Sequence, residues 1–559
     1  MKNKGFTLVE LLGVLVIIVV VSLIVTPIIY TNIENVRLQA NKRNTDKLIK
    51  TALDYYEKNT MKNEKKDELI IECDGSKCFY ENNQSEELTF SGDKPKGHIT
   101  ISKYGEVLQA DLLFDRYVCS YIDEKIECKK PDLIIDNITD FNTFLSKVDE
   151  YDNKTVVLSS DLDYNNKTFT PTSKTFKGEF NALGYNISNI TYTGAYHGIF
   201  HTIDGATIKS LKVEKSNFEI DESTDNVGVI VGSATNSNIY NCYSIDNTIE
   251  VGSNDVAIYQ VGGIVGVMRS GYIYGCNSLR IVIASSNISG DDRHGGIIGY
   301  AATDYSINNC NVIDSYISGY ENVGGIVGVF NGKMRNSYSK NVIVSGHTKI
   351  GGLVATSGLV DTIGYISNIS NCHVSYDKSN SEIIEIIGEN NQVGSSKIPI
   401  DLTGNISSIS NSVAGIVGFI PDYSSVTINN VYVKNVIFNK KNYYNGLLIG
   451  NVNFYERAES ESYKMVSILD LNNVYALSPL SLNEMTDYLG EINDATKLSN
   501  TIIFNYNNDI GYISADISTI DNWEKNLDKN WNTTSSKYPI LYKIDKNGNP
   551  TSYLLGGQE

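Results

Sequence analysis

The sequence predicts a two-part chain. An α+β N-terminal part, one long hydrophobic helix plus a small antiparallel sheet, precedes an all-β helix (solenoid) that takes up most of the length. Three observations predict this. The run from Leu11 to Ile29 carries no charged side chain. Short alternating apolar segments, punctuated by paired cysteines, fill residues 69–130. A Gly-rich motif then returns at near-regular steps, the signature of stacked repeats.

Composition agrees. A chain of 559 residues exceeds one core and implies roughly two or three domains. The formal net charge of −18 and pI near 4.9 argue against a nucleic-acid partner. Gly at 45, Tyr at 37 and only 9 Pro fit β-structure with many turns.

The first element is the helix. About 20 apolar residues at roughly 1.5 Å each cross a bilayer core, and Phe6–Val9 with Leu11–Ile29 supply them. Lys2 and Lys4 hold the leading end in the cytoplasm. A secretory signal peptide places its cleavage site after the apolar run. Here Gly5 precedes it, so the run stays in the mature chain. Glu10 sits at the bilayer edge, where a carboxylate calls for a partner. Pro27 should kink or loosen the helix locally.

Gly5-Phe6-Thr7-Leu8-Val9-Glu10 resembles the processing motif of type IV prepilins. The resemblance implies a leader at 1–5, cut between Gly5 and Phe6 by prepilin peptidase, and N-methylation of Phe6. It implies a pilin helix over 6–60, membrane-spanning in its first half. Glu10 would pair with the Phe6 amine of a neighbouring pilin subunit during assembly.

Beyond Pro27 the helix should run to about Asn59. Ile33, Val36, Ala40, Leu48, Ala52 and Tyr55 recur at three- and four-residue steps, the face that would pack on a head domain. That head, residues 61–130, reads as short strands. One hairpin turns at Asp74-Gly75, and Tyr117–Cys119 faces Ile126–Cys128. Its cysteines are disulfide candidates, because extracytoplasmic cysteines usually pair. Cys73 with Cys78 and Cys119 with Cys128 is one pairing, cross-pairing is another, and a four-Cys zinc site is disfavoured by the spacings.

Residues 131–200 read as a solenoid cap with the first coils, led by a short amphipathic helix over Phe141–Val148. Repeats fill 201–455. One motif recurs as Tyr196-His197-Gly198-Ile199-Phe200, Val227-Gly228-Val229-Ile230-Val231-Gly232 and Val261-Gly262-Gly263-Ile264-Val265-Gly266. It continues as His294-Gly295-Gly296-Ile297-Ile298-Gly299, Val323-Gly324-Gly325-Ile326-Val327-Gly328 and Ile350-Gly351-Gly352-Leu353-Val354-Ala355. Val413-Ala414-Gly415-Ile416-Val417-Gly418 and Asn445-Gly446-Leu447-Leu448-Ile449-Gly450 follow. The first-Gly steps are 262−228 = 34, 295−262 = 33, 324−295 = 29 and 351−324 = 27, and the next, 414−351 = 63, suggests a degenerate copy at Ile384–Gly388. A second column, Ile239 to Cys242, Ile273 to Cys276, Ile307 to Cys310 and Ile369 to Cys372, runs between these copies.

A lone repeat cannot bury its apolar face, but parallel stacking at about 4.8 Å per coil buries a continuous core. The Gly-Gly-Ile-Val-Gly motif resembles the GLUG repeat of bacterial surface proteins, and the resemblance implies a β-solenoid. The four cysteines of the second column share a small, apolar interior slot with Leu211, Ser337 and Val431, so they read as buried free thiols. Residues 456–559 lose the motif and read as a C-terminal cap holding Trp523, Trp531 and Lys537–Leu541.

Catalytic chemistry finds little support. None of the six His makes a zinc-protease spacing, and His197 and His294 read as variants of the motif's Val slot. Asp291-Asp292-Arg293-His294 has the residue types of a glycan-cleaving site, but a solvated turn accounts for it better. Asp161 and Asp163 share a strand face suited to calcium or, preferably, to turn capping. The reading is therefore a non-enzymatic, minor, tip-located pilin-like subunit that needs no metal or cofactor. It starts in the cytoplasmic membrane, ends on an extracellular filament, and presents an adhesin to a glycan or protein. The alternatives are a tethered polysaccharide-acting enzyme and a structural priming or spacer pilin.

Overall fold

The computed structural model describes residues 8–60, 69–80, 83–102, 105–122, 125–220, 224–251, 258–285, 292–302, 305–358, 365–390, 406–421, 424–434, 436, 445–446, 448–452, 468–478, 491–492, 496–505, 510–514, 542–544 and 550–553. They divide into two compact units, Met1–Ile134 and Ile135–Glu559.

In the first unit, helix α1 (Leu8–Thr60) runs unbroken through Pro27. Pro27 has no N–H for the turn before it, while its own carbonyl accepts the Thr31 hydroxyl at 2.9 Å. The sheet has strands β1 (Leu69–Asp74), β2 (Cys78–Tyr80), β3 (Asn83–Glu87), β4 (Lys96–Ile101), β5 (Val107–Phe114), β6 (Tyr117–Ile122) and β7 (Lys125–Lys129). They pair antiparallel in the order β3-β2-β1-β4-β5-β6-β7. The β1–β2 bend forms where expected. Gly75 takes φ 93°, and the Asp74 carboxylate accepts the Ser76 and Lys77 N–H groups at 2.7 and 2.9 Å.

Leu48, Ile49, Ala52 and Tyr56 of α1 close on Ile71, Ile99, Ala110 and Leu112 of the sheet. The packed face of α1 starts later than its apolar spacing suggested. Ile33, Val36 and Ala40 are exposed, and burial begins at Asn41 and Thr45. Apolar periodicity marks a face without saying whether this unit covers it.

The second unit is a parallel β-solenoid. Helix α2 (Ile138–Ser146) opens it, N-capped by Asn137, whose side chain accepts the Asp140 N–H at 3.0 Å. Its Phe141 and Phe144 pack on Phe180, with Phe144 also against Phe176 and Phe200, plugging the end of the apolar core.

One coil shows the plan in five short legs: Ile258–Gly262, Val265–Met268, Gly271–Tyr274, Asn277–Leu279 and Val282–Ser285. Each pairs parallel and in register with its counterpart one coil on. The second legs form a separate ten-stranded sheet among the described residues. Ile239, Ile273, Ile307, Met334 and Ile369 stack down the third leg, each fully buried. This column of the sequence is thus one wall of a continuous apolar core, as repeat stacking requires.

Three corners shape the coil, and one explains the Gly motif. A Cβ on Gly262 would overlap the Val265 carbonyl oxygen, and one on Gly266 would lie 2.6 Å from the Val227 nitrogen. The first and second legs therefore approach backbone to backbone. The other two corners use left-handed residues. Asn241, Asn309, Asn336 and Asn371 turn the third leg into the fourth, and Lys215, Asp246, Arg280, Asp314 and Asn341 turn the fourth into the fifth, all at φ near +50°. Asn tolerates that region better than most residues, which accounts for the Asn before Cys242, Cys310 and Cys372, and Gly275 does the same before Cys276.

Two differences from the sequence reading concern the repeat count. Ile384–Gly388 is not a degenerate coil but part of helix α3 (Asn380–Asn390), and Gly351 pairs directly with Ala414. The long step is one coil with an insertion. A short apolar run ending in Gly has the same composition in a helix as in a repeat. In addition, the Gly motif ends near 450, yet parallel pairing continues through Ile468–Ser478 to Thr496–Asn505. The first antiparallel partner within the solenoid sheet is Ile510–Ser514. Trp523, Trp531 and Lys537–Leu541 lie outside the described residues.

Candidate functional site

The first candidate is the leading half of α1. From Leu8 to Val36 its large apolar side chains are exposed, Leu8 at 83%, Leu23 at 70% and Ile24 at 60%. An apolar surface of this extent needs a lipid or protein environment. By length and composition, α1 is the one helix among the described residues able to cross a membrane. Gly5 and Phe6, and the side chain of Glu10, lie outside the described residues; the Glu10 backbone is already helical.

The head cysteines form two disulfides, Cys73–Cys78 and Cys119–Cys128, which resolves the pairing left open above. Both bridge directly opposed residues of antiparallel neighbours, with Cα atoms 4.1 Å apart.

The solenoid's polar candidates resolve into structural work. Asp161 accepts the Asn186 N–H at 2.9 Å, and Asp163 accepts the Asn165 N–H and the Asn189 side-chain amide at 2.9 and 2.8 Å. Hydrogen bonds, first from Asn189, hold the Asp163 carboxyl below its usual range. The Asn165 contact caps a local turn, and the other two tie neighbouring coils together. Asp292 is buried, and its carboxylate accepts the Tyr320 N–H of the following coil at 3.2 Å. Arg293 lies over the Tyr300 ring. Asp291 is outside the described residues. His294 sits in register between Val261 and Val323, with Nδ1 2.7 Å from the Ser318 carbonyl oxygen.

His197 has a neighbour that the sequence reading missed. Its ring lies edge-on to His201 at 4.1 Å, and Thr224 Oγ1 is 2.9 Å from its Nδ1. Burial pushes both imidazoles below their ordinary pKa, and for His201 the charge of His197 adds to it. The four-residue spacing across the Gly198 turn was the available signal. Among the described residues no group of three or more His, Cys, Asp or Glu is gathered as metal ligands.

The column cysteines are buried free thiols. The slot is less inert than a purely apolar reading implies. Cys276 Sγ accepts the Cys242 N–H at 3.4 Å and donates to the Tyr274 carbonyl at 3.5 Å. Ser337 repeats this arrangement, accepting the Cys310 N–H at 3.1 Å and donating to the Arg335 carbonyl at 2.8 Å. At these two corners the inward N–H of one coil is satisfied by a small side chain of the next.

An apolar leading helix and a parallel β-solenoid on one chain fit a type IV pilin-like protein with a β-helix domain. The similarity found among known families supports this directly: residues 1–26 match the prokaryotic N-terminal methylation motif. That motif implies prepilin-peptidase processing and pilin assembly in general, and fits a membrane-anchored and then surface-exposed pilin-like protein. No curated protein matches the chain. Among solved structures, a putative immunoglobulin A1 protease from Bacteroides ovatus is 15% identical, covering 76% of this chain and 92% of its own, at a TM-score of 0.31. A likeness that low carries no argument.

Proposed function

We propose that this chain is a minor, tip-located type IV pilin-like subunit whose β-solenoid is an adhesin for a surface, a host or another cell. What carries the reading is one pairing: an exposed apolar helix behind a prepilin motif, on the same chain as a repeat domain several times the size of the head. Pilin assembly through such helices sets successive subunits a few ångströms apart. A domain this large suits a rare position better than every position.

The reading gives the head a pilin-type role, the Gly motif a GLUG-type repeat, and Glu10 the pairing with a neighbour's Phe6 amine. It gives the protein no reaction to catalyse. The polar clusters favour this, since Asp161, Asp163 and Asp292 are each engaged in hydrogen bonds to a neighbouring coil.

The test is immunogold imaging of purified filaments with antibody to residues 135–559, alongside cell attachment with and without those residues. Sparse label at filament ends, with normal filaments but lost attachment on deletion, is the expected result. Label all along the shaft removes the tip assignment. Loss of filaments on deletion replaces adhesion with a structural role. Release of reducing sugar from polysaccharides by the full chain overturns the non-enzymatic part.

A further inference from the structure

One stretch of the solenoid surface is uncharged and rich in tyrosine and asparagine. It spans three consecutive coils, on both sides of the corner at Asn241, Gly275 and Asn309. The third legs there are Ser237–Tyr240, Gly271–Tyr274 and Tyr305–Asn308, and the fourth legs start at Tyr243, Asn277 and Asn311. Inward residues such as Ile239, Ile273 and Ile307 are fully buried, so the alternate residues face out and are half-buried. From 238 to 245, 272 to 279 and 306 to 313 these outward positions hold Tyr, Asn, Ser, Ile and Leu, and none holds Asp, Glu, Lys or Arg.

The neutrality is bounded. The preceding coil has Lys209, buried and paired with Glu179 at 3.1 Å, and Lys212 and Glu214 at the same positions, and the following coil presents Lys333 and Arg335. At the far corner Arg280 closes on Asp246 through two hydrogen bonds of 2.6 and 3.0 Å, and Lys378 closes on Asp314 of the third coil at 2.8 Å, so each of those charges meets an opposite one. Neutrality alone is not peculiar to this patch, since the second legs Val265–Met268, Ile298–Ala301 and Val327–Phe330 are uncharged too; here it coincides with half-buried rings and amides.

Its chemistry is that of a sugar-binding platform. Tyr272 and Tyr274 rings lie 6.0 Å apart and within 13° of parallel, and Tyr240 sits 5.9 Å from Tyr272. Aromatic faces take up apolar C–H surface, which one face of a pyranose supplies. Side-chain amides run beside the rings. Asn311 donates to Asn277 at 2.8 Å and Asn308 to the Tyr272 hydroxyl at 3.4 Å. An amide has two donors and two acceptor lone pairs, so such a ladder fixes the groups and still has capacity for hydroxyls. The coils repeat at about 4.8 Å, close to the length of one sugar ring, so successive sugars of a polymer would meet Asn238 and Tyr240, then Tyr272 and Tyr274, then Ser306 and Asn308.

We propose that this face binds an uncharged polysaccharide. A polyanion meets the chain's overall negative charge with no cation in the patch, and a polycation meets no carboxylate there. The proposal rests on the adhesive reading above and supplies its ligand class.

The test uses the full chain in detergent, run on native gels containing hydroxyethylcellulose, galactomannan or dextran as neutral probes and polygalacturonate or heparin as anionic ones. Retardation by at least one neutral polymer and by neither anionic one is expected. Tyr272→Ala with Tyr274→Ala should weaken it roughly tenfold or more, whereas Tyr272→Phe with Tyr274→Phe retains it. Asn308→Asp, which adds charge without removing a ring, should weaken it too, and far-UV melting verifies that each variant is folded. Retardation by the anionic polymers alone, or unchanged retardation in the folded alanine variant, overturns the proposal. So does the absence of retardation by every neutral polymer. In that last case the attachment assay separates the two readings: attachment that still needs residues 135–559 leaves the adhesin standing with another ligand class, and its absence removes both.

Discussion

The head and the solenoid carry four cysteines each and use them in opposite ways. In the head, antiparallel pairing puts Cys73 opposite Cys78 and Cys119 opposite Cys128, and both pairs are bonded. In the solenoid, parallel stacking puts Cys242, Cys276 and Cys310 in successive coils, and the thiols stay free. The difference reflects where each unit finds its stability. A small sheet with one helix buries little apolar surface and gains from covalent staples. A solenoid gains burial with every coil, and its thiols donate to backbone carbonyls, with Cys276 also accepting a corner N–H.

The largest expected effect tests the solenoid half of this comparison. Gly266→Val puts a side chain where the Val227 nitrogen and Gly232 oxygen lie 2.6 and 2.7 Å from a Cβ, both of them backbone atoms that cannot swing away. The loss should exceed about 3 kcal/mol. Far-UV melting of the full chain reads it as a solenoid transition displaced to lower temperature with the head transition unmoved. An unmoved solenoid transition means the legs can separate, and the account of the motif fails.

The next effect belongs to the head. Its disulfides close short loops, with sequence separations of 5 and 9. Removing one should cost about 2 kcal/mol through the unfolded chain. Reduction by dithiothreitol should then lower the head transition and leave the solenoid where it was. Equal displacement of both would break the comparison.

Alkaline pH should do the reverse. Burial lifts the Cys276 thiol well above its ordinary value, helped by hydrogen bonds with Cys242 and Cys310, and lifts Cys372 to about 12. The folded thiols hold their protons more tightly than the unfolded ones. Their contribution is therefore complete below the unfolded thiol pKa, near 8.5, and is lost as pH rises from there through the folded values. At pH 10 the loss should be up to about 2 kcal/mol for each of these two thiols. The solenoid should melt progressively earlier above pH 9, with thiol labelling by iodoacetamide appearing only as it melts. The disulfide-bonded head has no thiol to titrate. Labelling of the folded chain at pH 9 would refute the burial of the column.

Much of this was legible before any coordinates. The apolar run of α1, the Asp74-Gly75 bend, and the register of Leu211, Ser337 and Val431 with the column cysteines all follow from spacing. The misses have physical causes. Legs of three or four residues are too short for a period to register, so two columns were visible where five legs exist. The corner residues Asp246, Arg280 and Asp314 look like scattered surface charge until stacking lines them up. Helix α3 imitated a repeat because Ile384–Gly388 shares its composition. Where α1 begins to pack depends on what the sheet covers, and Ile33 gives no sign of that. The neutral face emerged only from outward positions drawn from separate coils, which no linear window brings together.

The smallest expected effect sharpens the comparison most, because it makes the same substitution in both units. Cys276→Ser replaces one acceptor with another in a slot where Ser337 already serves. The serine oxygen there accepts the corner N–H of the preceding coil and donates to a carbonyl of its own coil, as the thiol does. The change should stay under about 1 kcal/mol. Cys73→Ser in the head breaks a covalent bond and strands Cys78, so it should fall near the 2 kcal/mol of the lost loop constraint. Thermal melts of the two single variants under non-reducing conditions give the ratio directly. A ratio well above one ties the value of a cysteine here to strand direction. A ratio near one would mean that the column thiols contribute through apolar packing that serine cannot replace, and the corner hydrogen bond would lose its place in the account.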